Sequence, residues 1–224
     1  IYVSYLKNSM LYYQDGRVTI YHANCHEMAG SIEADALVTD PPYGINCGGV
    51  LTSRYRRANG KNQLSLKKCY KADTWDKRTD QVGIDLYRGI CKHQIIWGGQ
   101  YYSLPSSGKW LVWDKKSRNY FADAELAWTN LKGATRIKEH RWSGCLRENR
   151  EPRFDHPTQK PLDVMKWCCS FLKLDSETVI VDPYMGSGTT LRAAKDLGCR
   201  AIGIEVNERY CELATNRLRQ EVLF

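Results

Sequence analysis

The sequence predicts an α/β fold with a doubly wound, mostly parallel sheet, and three observations support this fold class. Short apolar runs bounded by turn residues alternate with segments of helical periodicity, which favours strands connected by helices. Polar and glycine-rich motifs directly follow two of the runs, as at the carboxyl edge of an open sheet. The 224 residues are enough for one domain with a full core.

The first half of the chain holds the less regular part of this pattern. Val82, Leu86 and Ile90 recur at the spacing of one helix face, which predicts a helix over residues 81–92. Residues 45–79 combine glycines with many basic side chains, and we expect an irregular, mobile basic loop. The other elements expected here are a short helix within residues 22–33 and strands at residues 17–21, 36–40, 94–97, 110–113 and 125–128.

The pattern is sharper from Pro161 onward, because proline suits the first position of a helix and an apolar face follows it. That face comprises Leu162, Met165, Cys169 and Leu172. The remaining predicted elements are a strand at residues 178–182, a helix from a glycine turn at residues 186–188 to Gly198, a strand at residues 200–205 and a helix capped by Asn207.

Composition restricts the class of protein. The net charge of +8, from 33 basic and 25 acidic residues, favours a polyanionic partner. The nine cysteines include no CxxC pair, so neither a disulfide framework nor a zinc ribbon is indicated, and a reducing cytoplasm fits best. No apolar run approaches the ~20 residues of a membrane span, and no secretory signal is evident. Residues 1–9 are interpreted as an upstream extension or as artificially added residues, since Met10 begins an ordinary domain start.

The most informative motif is Asp40-Pro41-Pro42-Tyr43, directly after the apolar run at residues 36–39. A buried parallel strand would deliver this motif to the carboxyl edge of the sheet, where ligands bind. The prolines fix φ and lack N–H donors, so backbone carbonyls stay free to accept hydrogen bonds. An Asp oxygen, a free carbonyl and an aromatic face can hold a planar amine and its ring. These four residues are therefore the candidate catalytic residues.

A second motif, at residues 182–190, is typical of a strand, a glycine turn and a helix. Glycines allow a ligand to approach the backbone closely, and helix-terminal N–H groups can hold an anion. Neither a Walker loop nor a GxGxxG fingerprint is present. The next strand ends in Glu205, where an acidic residue typically binds ribose hydroxyls. A nucleoside with a carboxylate tail and no phosphate suits both features.

Together with His156-Pro157-Thr158-Gln159-Lys160-Pro161, the two motifs resemble the beta group of amino DNA methyltransferases, which use S-adenosylmethionine. The resemblance runs from about Leu11 to the last residue, with stretches around Trp97 and Trp110 most like phage or prophage members. It implies a Rossmann-like methyltransferase fold over residues 10–224, circularly permuted. The strand at residues 17–21 should then lie beside the strand that ends in Glu205.

The resemblance also implies the roles of the site residues. Asp40 and the Pro41 carbonyl would hold the amine of a flipped base on which Tyr43 stacks, with Pro42 completing the catalytic motif. Glu205 would bind the ribose of S-adenosylmethionine, and Thr158 and Lys160 its methionine carboxylate. The rest of the cofactor pocket would comprise Asp182, Tyr184, Gly186, Ser187, Gly188 and Thr189.

The implied function is site-specific methylation of adenine N6 in DNA, because this family's adenine enzymes usually have Asp or Asn before Pro-Pro and its cytosine-N4 enzymes usually Ser. The alternatives are a cytosine-N4 or RNA amino-methyltransferase, and a non-catalytic DNA-binding relative. The sequence has no nuclease signature, so any restriction partner would be a separate protein.

Double-stranded DNA is the expected partner, in the cytoplasm of a bacterial or phage-infected cell. The residues expected to contact it are Arg54, Arg56, Arg57 and Lys61 in the basic loop, and Arg136, Lys138 and Arg141 in a polar stretch at residues 131–155. That stretch is expected to recognise the target, and because it is short, a homodimer is plausible. We expect no metal site, since a helix start explains His22, Cys25, His26 and Glu27 better than ligation does.

Overall fold

The computed structural model describes residues 10–45, 54–56, 62–64, 80–116, 122–143, 146–147, 152 and 159–220. The chain divides into two units, one formed by Ile1–Pro41 with Asp80–Phe224 and the other by Pro42–Thr79. No helix within these described ranges combines the length and the apolar character needed to cross a membrane.

The described strands and helices follow the alternation expected from the sequence. The strands are β1 (Met10–Gln14), β2 (Val18–His22), β3 (Ala36–Thr39), β4 (Arg54–Arg56), β5 (Asn62–Leu64), β6 (His93–Trp97), β7 (Trp110–Asp114), β8 (Ala124–Thr129), β9 (Arg136–Glu139), β10 (Trp142–Ser143), β11 (Leu146–Arg147), β12 (Val179–Asp182) and β13 (Arg200–Glu205). The α-helices are α1 (Cys25–Met28), α2 (Gln81–Ile90), α3 (Leu162–Cys169), α4 (Thr189–Asp196) and α5 (Glu208–Arg219).

The larger unit contains a nine-stranded sheet in the order β1-β2-β13-β12-β3-β6-β8-β7-β9. The five strands from β2 to β6 in this order are mutually parallel, while β1 and β8 run antiparallel to their neighbours. The predicted doubly wound, mostly parallel fold is therefore confirmed. Glu205 of β13 pairs with His22 of β2, which confirms the permuted neighbourhood of the first and last parallel strands.

The sheet core is apolar, as expected for strands covered on both faces. Trp97 on β6 and Trp113 on β7 are both buried and meet edge to face, with ring centroids 6.5 Å apart. On α3, Met165 and Cys169 are buried as the periodicity predicted.

The predicted apolar face of α2 is wrong, although the helix itself is confirmed. Val82 and Leu86 are 63% and 41% exposed, whereas Ile84 and Tyr87 are fully buried. Two apolar stripes share this helix, and the buried one includes Tyr87. The Tyr87 hydroxyl donates to the Cys25 carbonyl over 2.8 Å.

Two stretches without a predicted strand contain short strands. In the smaller unit, β4 and β5 pair antiparallel, with Tyr55 opposite Gln63. Within residues 131–155, β9 extends the large sheet beside β7, and β10 pairs with β11. Strands of two to four residues have too few positions to show a period of two in the sequence.

Candidate active site

The two sequence motifs meet at one edge of the sheet, at the carboxyl ends of neighbouring parallel strands. Asp40 and Pro41 directly follow β3, and Asp182 is the last residue of β12. These strands pair in register, with Val181 opposite Leu37. The fold therefore brings together segments that are far apart in the sequence, at the position where open α/β sheets bind ligands.

A buried hydrogen bond joins the motifs directly. The Thr39 hydroxyl donates to Asp182 Oδ1 over 2.7 Å, and the Tyr184 amide donates to the same oxygen over 3.1 Å. Burial raises the pKa of Asp182 to about 6, although hydrogen bonds from Thr190 and Thr39 stabilise the ionised form. Sequence reasoning missed Thr39, because a threonine in an apolar strand carries no signal of its partner.

The Asp40 carboxylate lies in a cluster of charged side chains. Lys160 Nζ is 2.5 Å from Asp40 Oδ2 and 2.9 Å from Glu125 Oε2, and its side chain is 5% exposed. Burial lowers the pKa of Lys160, but the two carboxylates outweigh this effect and raise it. The structure thus shows Lys160 in an ion pair with the candidate catalytic carboxylate, and its expected contact with the cofactor carboxylate stays a prediction.

The cofactor turn is shaped by two glycines with left-handed backbones, Gly186 with φ 50° and Gly188 with φ 74°. Gly186 N–H donates to Glu205 Oε2 over 3.1 Å, and Asn207 N–H donates to Oε1 over 2.8 Å. Burial raises the pKa of Glu205 to about 7. A carboxylate offers about four acceptor sites, so Glu205 retains capacity to accept from a ribose diol. The hydrogen-bonding groups at this edge therefore fit the nucleoside part of S-adenosylmethionine.

The other predicted cofactor residues are held by neighbouring helices. Ser187 and Thr189 are buried, and the Thr189 hydroxyl accepts from Arg217 Nη1 of α5 over 2.7 Å. The Tyr184 hydroxyl donates to Asp80 Oδ2 over 2.5 Å, which ties the turn to the first residue before α2. Arg217 and Asp80 were not predicted. Thr158 lies outside the described residues, and its role stays a prediction.

Pro42 and Tyr43 belong to the smaller unit, and both are partly exposed. The stacking of Tyr43 on a base stays a prediction. Of the basic-loop residues, Arg54 and Arg56 lie on β4, while Arg57 and Lys61 fall outside the described residues.

The other basic residues expected at DNA lie on or beside β9, the last strand of the large sheet. Arg136 is exposed and Lys138 is partly exposed, and their spacing puts both on one face of the strand. Arg141 follows as an exposed residue. Their contact with DNA stays a prediction.

One group of potential metal ligands occurs among the described residues. Cys25, His26 and Asp80 each place a ligand atom within 4.8 Å of the others. His26 Nε2 already lies 2.7 Å from Asp80 Oδ2, and that oxygen also accepts from Tyr184. Protein groups thus engage this carboxylate, and we propose no metal site here.

Comparison with known proteins identifies the family. Residues 94–216, more than half of the chain, match the family of N6/N4 DNA methylases. The chain belongs to this family. It is thus an S-adenosylmethionine-dependent amino DNA methyltransferase, as the motifs and their order predicted.

The relatives include bacterial type II methyltransferases. The chain is 25% identical over 262 residues to M2.DpnII of Streptococcus pneumoniae, covering 94% of this chain and 92% of the relative. It is 41% identical over 159 residues to M.HindIII of Haemophilus influenzae, covering 71% of this chain but 43% of that relative. The likeness to phage members stays a prediction.

Solved structures show the same fold. M1.HpyAVI in complex with SAM is matched with a TM-score of 0.56 at 23% identity, over 89% of this chain and 99% of that chain. The cytosine-N4-specific PvuII DNA methyltransferase is matched with a TM-score of 0.60 at 11% identity, over 97% of this chain and 92% of that chain. At such identities the likeness concerns the fold alone.

Proposed function

We propose that this methyltransferase is a site-specific DNA adenine-N6 enzyme. The main support is the position of the Asp40 carboxylate directly after β3. In the sheet, β3 lies beside β12, the strand that leads into the cofactor turn. An Asp or Asn before Pro-Pro is usual in the adenine enzymes of the family, and a Ser is usual in its cytosine-N4 enzymes. The relatives named as type II methyltransferases support a specific DNA site.

The chemistry assigned to the chain is the activation of a poor nucleophile. The lone pair of an exocyclic amine is delocalised into the ring. Hydrogen bonds from the amine to the Asp40 carboxylate and the Pro41 carbonyl favour a pyramidal nitrogen with a localised lone pair. S-adenosylmethionine supplies the electrophilic sulfonium methyl group. Asp40 need not be a strong base, since the methylated amine loses a proton readily, and much of the rate comes from positioning.

Binding of the cofactor is assigned to the glycine turn and to Glu205. The ionised Glu205 carboxylate accepts hydrogen bonds from the ribose hydroxyls, and Asp182, Tyr184, Gly186, Ser187, Gly188 and Thr189 shape the pocket. Thr158 keeps its proposed contact with the methionine carboxylate. Lys160 keeps the same proposed contact, and its ion pair with Asp40 supports a place near the target amine as well.

DNA binding is assigned to the basic residues of two segments. Arg54, Arg56, Arg57 and Lys61 neutralise phosphates while Tyr43 stacks on the flipped base. Residues 131–155, with Arg136, Lys138 and Arg141, recognise the target. Because this stretch is short, two copies of the chain bind one site as a homodimer. A restriction nuclease acting on the same site would be a separate protein.

The test is identification of the product. Purified protein is incubated with labelled S-adenosylmethionine and unmethylated genomic DNA, and the digested DNA is analysed by mass spectrometry. We expect N6-methyladenine. N4-methylcytosine would overturn the choice of base, and transfer to RNA alone would overturn the choice of substrate. No transfer to any nucleic acid would contradict the enzyme itself and favour a non-catalytic DNA-binding protein.

A further inference from the structure

Glu125, near the start of β8, connects two lysines at the edge of the sheet where the catalytic motif lies. Its Oε1 is 2.5 Å from Lys115 Nζ, and its Oε2 is 2.9 Å from Lys160 Nζ. Because β8 runs antiparallel to β6, its first residues lie where the parallel strands end. The side chain is 23% exposed, and the two ammonium groups lower the pKa of Glu125 to about 2 despite its burial. The carboxylate is therefore ionised at neutral pH.

Lys160 links Glu125 to Asp40. Its ammonium lies 2.5 Å from Asp40 Oδ2 and 5.4 Å from the centroid of the buried Trp97 ring. Among the described residues, two carboxylates and two ammonium groups thus form a cluster whose formal charges cancel. A buried ammonium shared by two carboxylates binds each of them less strongly than it would bind one alone.

This sharing matters because Asp40 has a second task in the proposed function. Its carboxylate must stay ionised and oriented, which the Lys160 ammonium favours. It must also accept a hydrogen bond from the incoming amine, which a too-strong ion pair opposes. The Glu125 carboxylate, on the far side of Lys160, weakens the ion pair with Asp40 without removing it, so both requirements are met.

We propose that Glu125 is a positioning residue for methyl transfer, which acts by sharing the Lys160 ammonium with Asp40. This inference rests on the proposed methyltransferase function but not on the identity of the base. Glu125 touches neither the base nor the cofactor in this scheme. Its loss removes one of the two carboxylates that share Lys160 within the described part of the chain. The ion pair of Lys160 with Asp40 then becomes too strong for Asp40 to accept a hydrogen bond from the amine.

The first test compares Glu125→Gln, which keeps the shape and removes the charge, with Asp85→Asn. Asp85 forms an ion pair with Arg88 on α2 and is the matched control. We expect Glu125→Gln to lower kcat for label transfer to DNA about tenfold or more, because misplaced catalytic groups are costly. The Kd for S-adenosylmethionine, measured by calorimetry, should change less than about threefold. Glu125→Asp should recover part of kcat, and Asp85→Asn should leave kcat unchanged.

The second test is the double variant Glu125→Gln with Lys160→Met. Because Glu125 acts through Lys160, we expect the double variant to have the kcat of Lys160→Met alone. Effects that simply multiply would overturn the inference, as would a kcat for Glu125→Gln within about threefold of the unmodified protein. If Glu125→Gln does not fold, the same comparison with Glu125→Asp decides. If the unmodified protein transfers no label to DNA, the proposed function is wrong as well. If it is active and its kcat does not depend on Glu125, this inference alone is wrong.

Discussion

At the scale of single residues, burial disfavours the ionisation of two carboxyl groups of the site, but their pKa values shift in opposite directions. It raises the pKa of Glu205 to about 7, where backbone amides are the hydrogen-bond donors. The pKa of Glu125 falls to about 2, because Lys160 and Lys115 outweigh the same burial. Near neutral pH the first group therefore titrates and the second stays ionised.

The titration of Glu205 predicts a pH-dependent affinity for the cofactor. The ionised carboxylate is the better acceptor for ribose hydroxyls, and below its raised pKa the group is protonated. We therefore expect the affinity for S-adenosylmethionine to rise about tenfold from pH 6 to pH 8, with release of protons on binding. Calorimetry in buffers of different ionisation enthalpy measures both quantities. Glu205→Gln should bind weakly at every pH, and a flat affinity in the unmodified protein would remove Glu205 from the ribose site.

Asp40→Ala should separate chemistry from cofactor binding. The variant loses the acceptor for the target amine, so kcat should fall by a factor of about 100 or more. The Kd for S-adenosylmethionine should change far less, since Glu205 and the glycine turn remain. Single-turnover label transfer and calorimetry measure the two effects. A parallel loss of both would show that Asp40 organises the cofactor pocket rather than the amine.

At the scale of the elements, the glycine turn packs α4 against α5. A Cβ on Gly188 would lie 2.8 Å from the Ala214 Cβ, and the φ of this residue is +74°. Gly198, at the other end of α4, has a φ of +80°, and a Cβ there would meet nothing within 4 Å. The two glycines thus share the backbone requirement and differ in packing.

This difference predicts unequal costs for alanine. Both Gly188→Ala and Gly198→Ala should lose about 1 kcal/mol of the free energy of unfolding, because a side chain disfavours positive φ. Gly188→Ala should lose about 1–3 kcal/mol more, from overpacking against α5. Urea unfolding followed by circular dichroism measures both. Equal losses would mean that α5 moves aside without cost.

Most elements could be predicted because their signals are local. The apolar runs at β3, β12 and β13 are four to six residues long and lead into motifs with recognisable turns. The apolar face of α2 was wrong because two stripes compete and only the tertiary structure selects one. The short strand β9 was missed, since four largely exposed residues show no burial pattern.

The candidate site was predictable only in part, for the same reason. Asp40, Asp182 and Glu205 stand at strand ends, which a sequence pattern marks. Glu125 is a charged residue in a half-buried strand, which signals a paired group without indicating its partner. Its contacts with Lys160 and Lys115 depend on the antiparallel course of β8, for which the sequence carries no local signal.

At the scale of the whole molecule, the positive charge is unevenly spread along the chain. Residues 45–79 carry nine of the 33 basic side chains, and the net charge of the chain is +8. Such a concentration favours contact with the phosphate backbone, whose binding is salt-dependent because neutralised phosphates release counterions.

Neutralising Arg56 and Arg57 together to glutamine should weaken DNA binding and flatten its salt dependence. If each arginine neutralises one phosphate, the slope of log K against log salt should fall by about 2. Fluorescence anisotropy over a range of salt concentrations measures the slope. Lys173→Gln with Arg200→Gln, which removes the same charge from exposed positions outside the predicted interface, is the control. An unchanged slope in the Arg56 and Arg57 variant would exclude this segment from the interface.

The position of β13 between β2 and β12 also governs the order in which the protein can be assembled during synthesis. β13, the parallel partner of β2, leaves the ribosome only after about 180 further residues have been translated. At about 5–20 residues per second this delay lasts on the order of ten seconds or more. Until then the hairpin of β1 and β2 has an open edge that can pair wrongly with other chains. Nascent chains that stop before β13 should therefore be the most prone to aggregate.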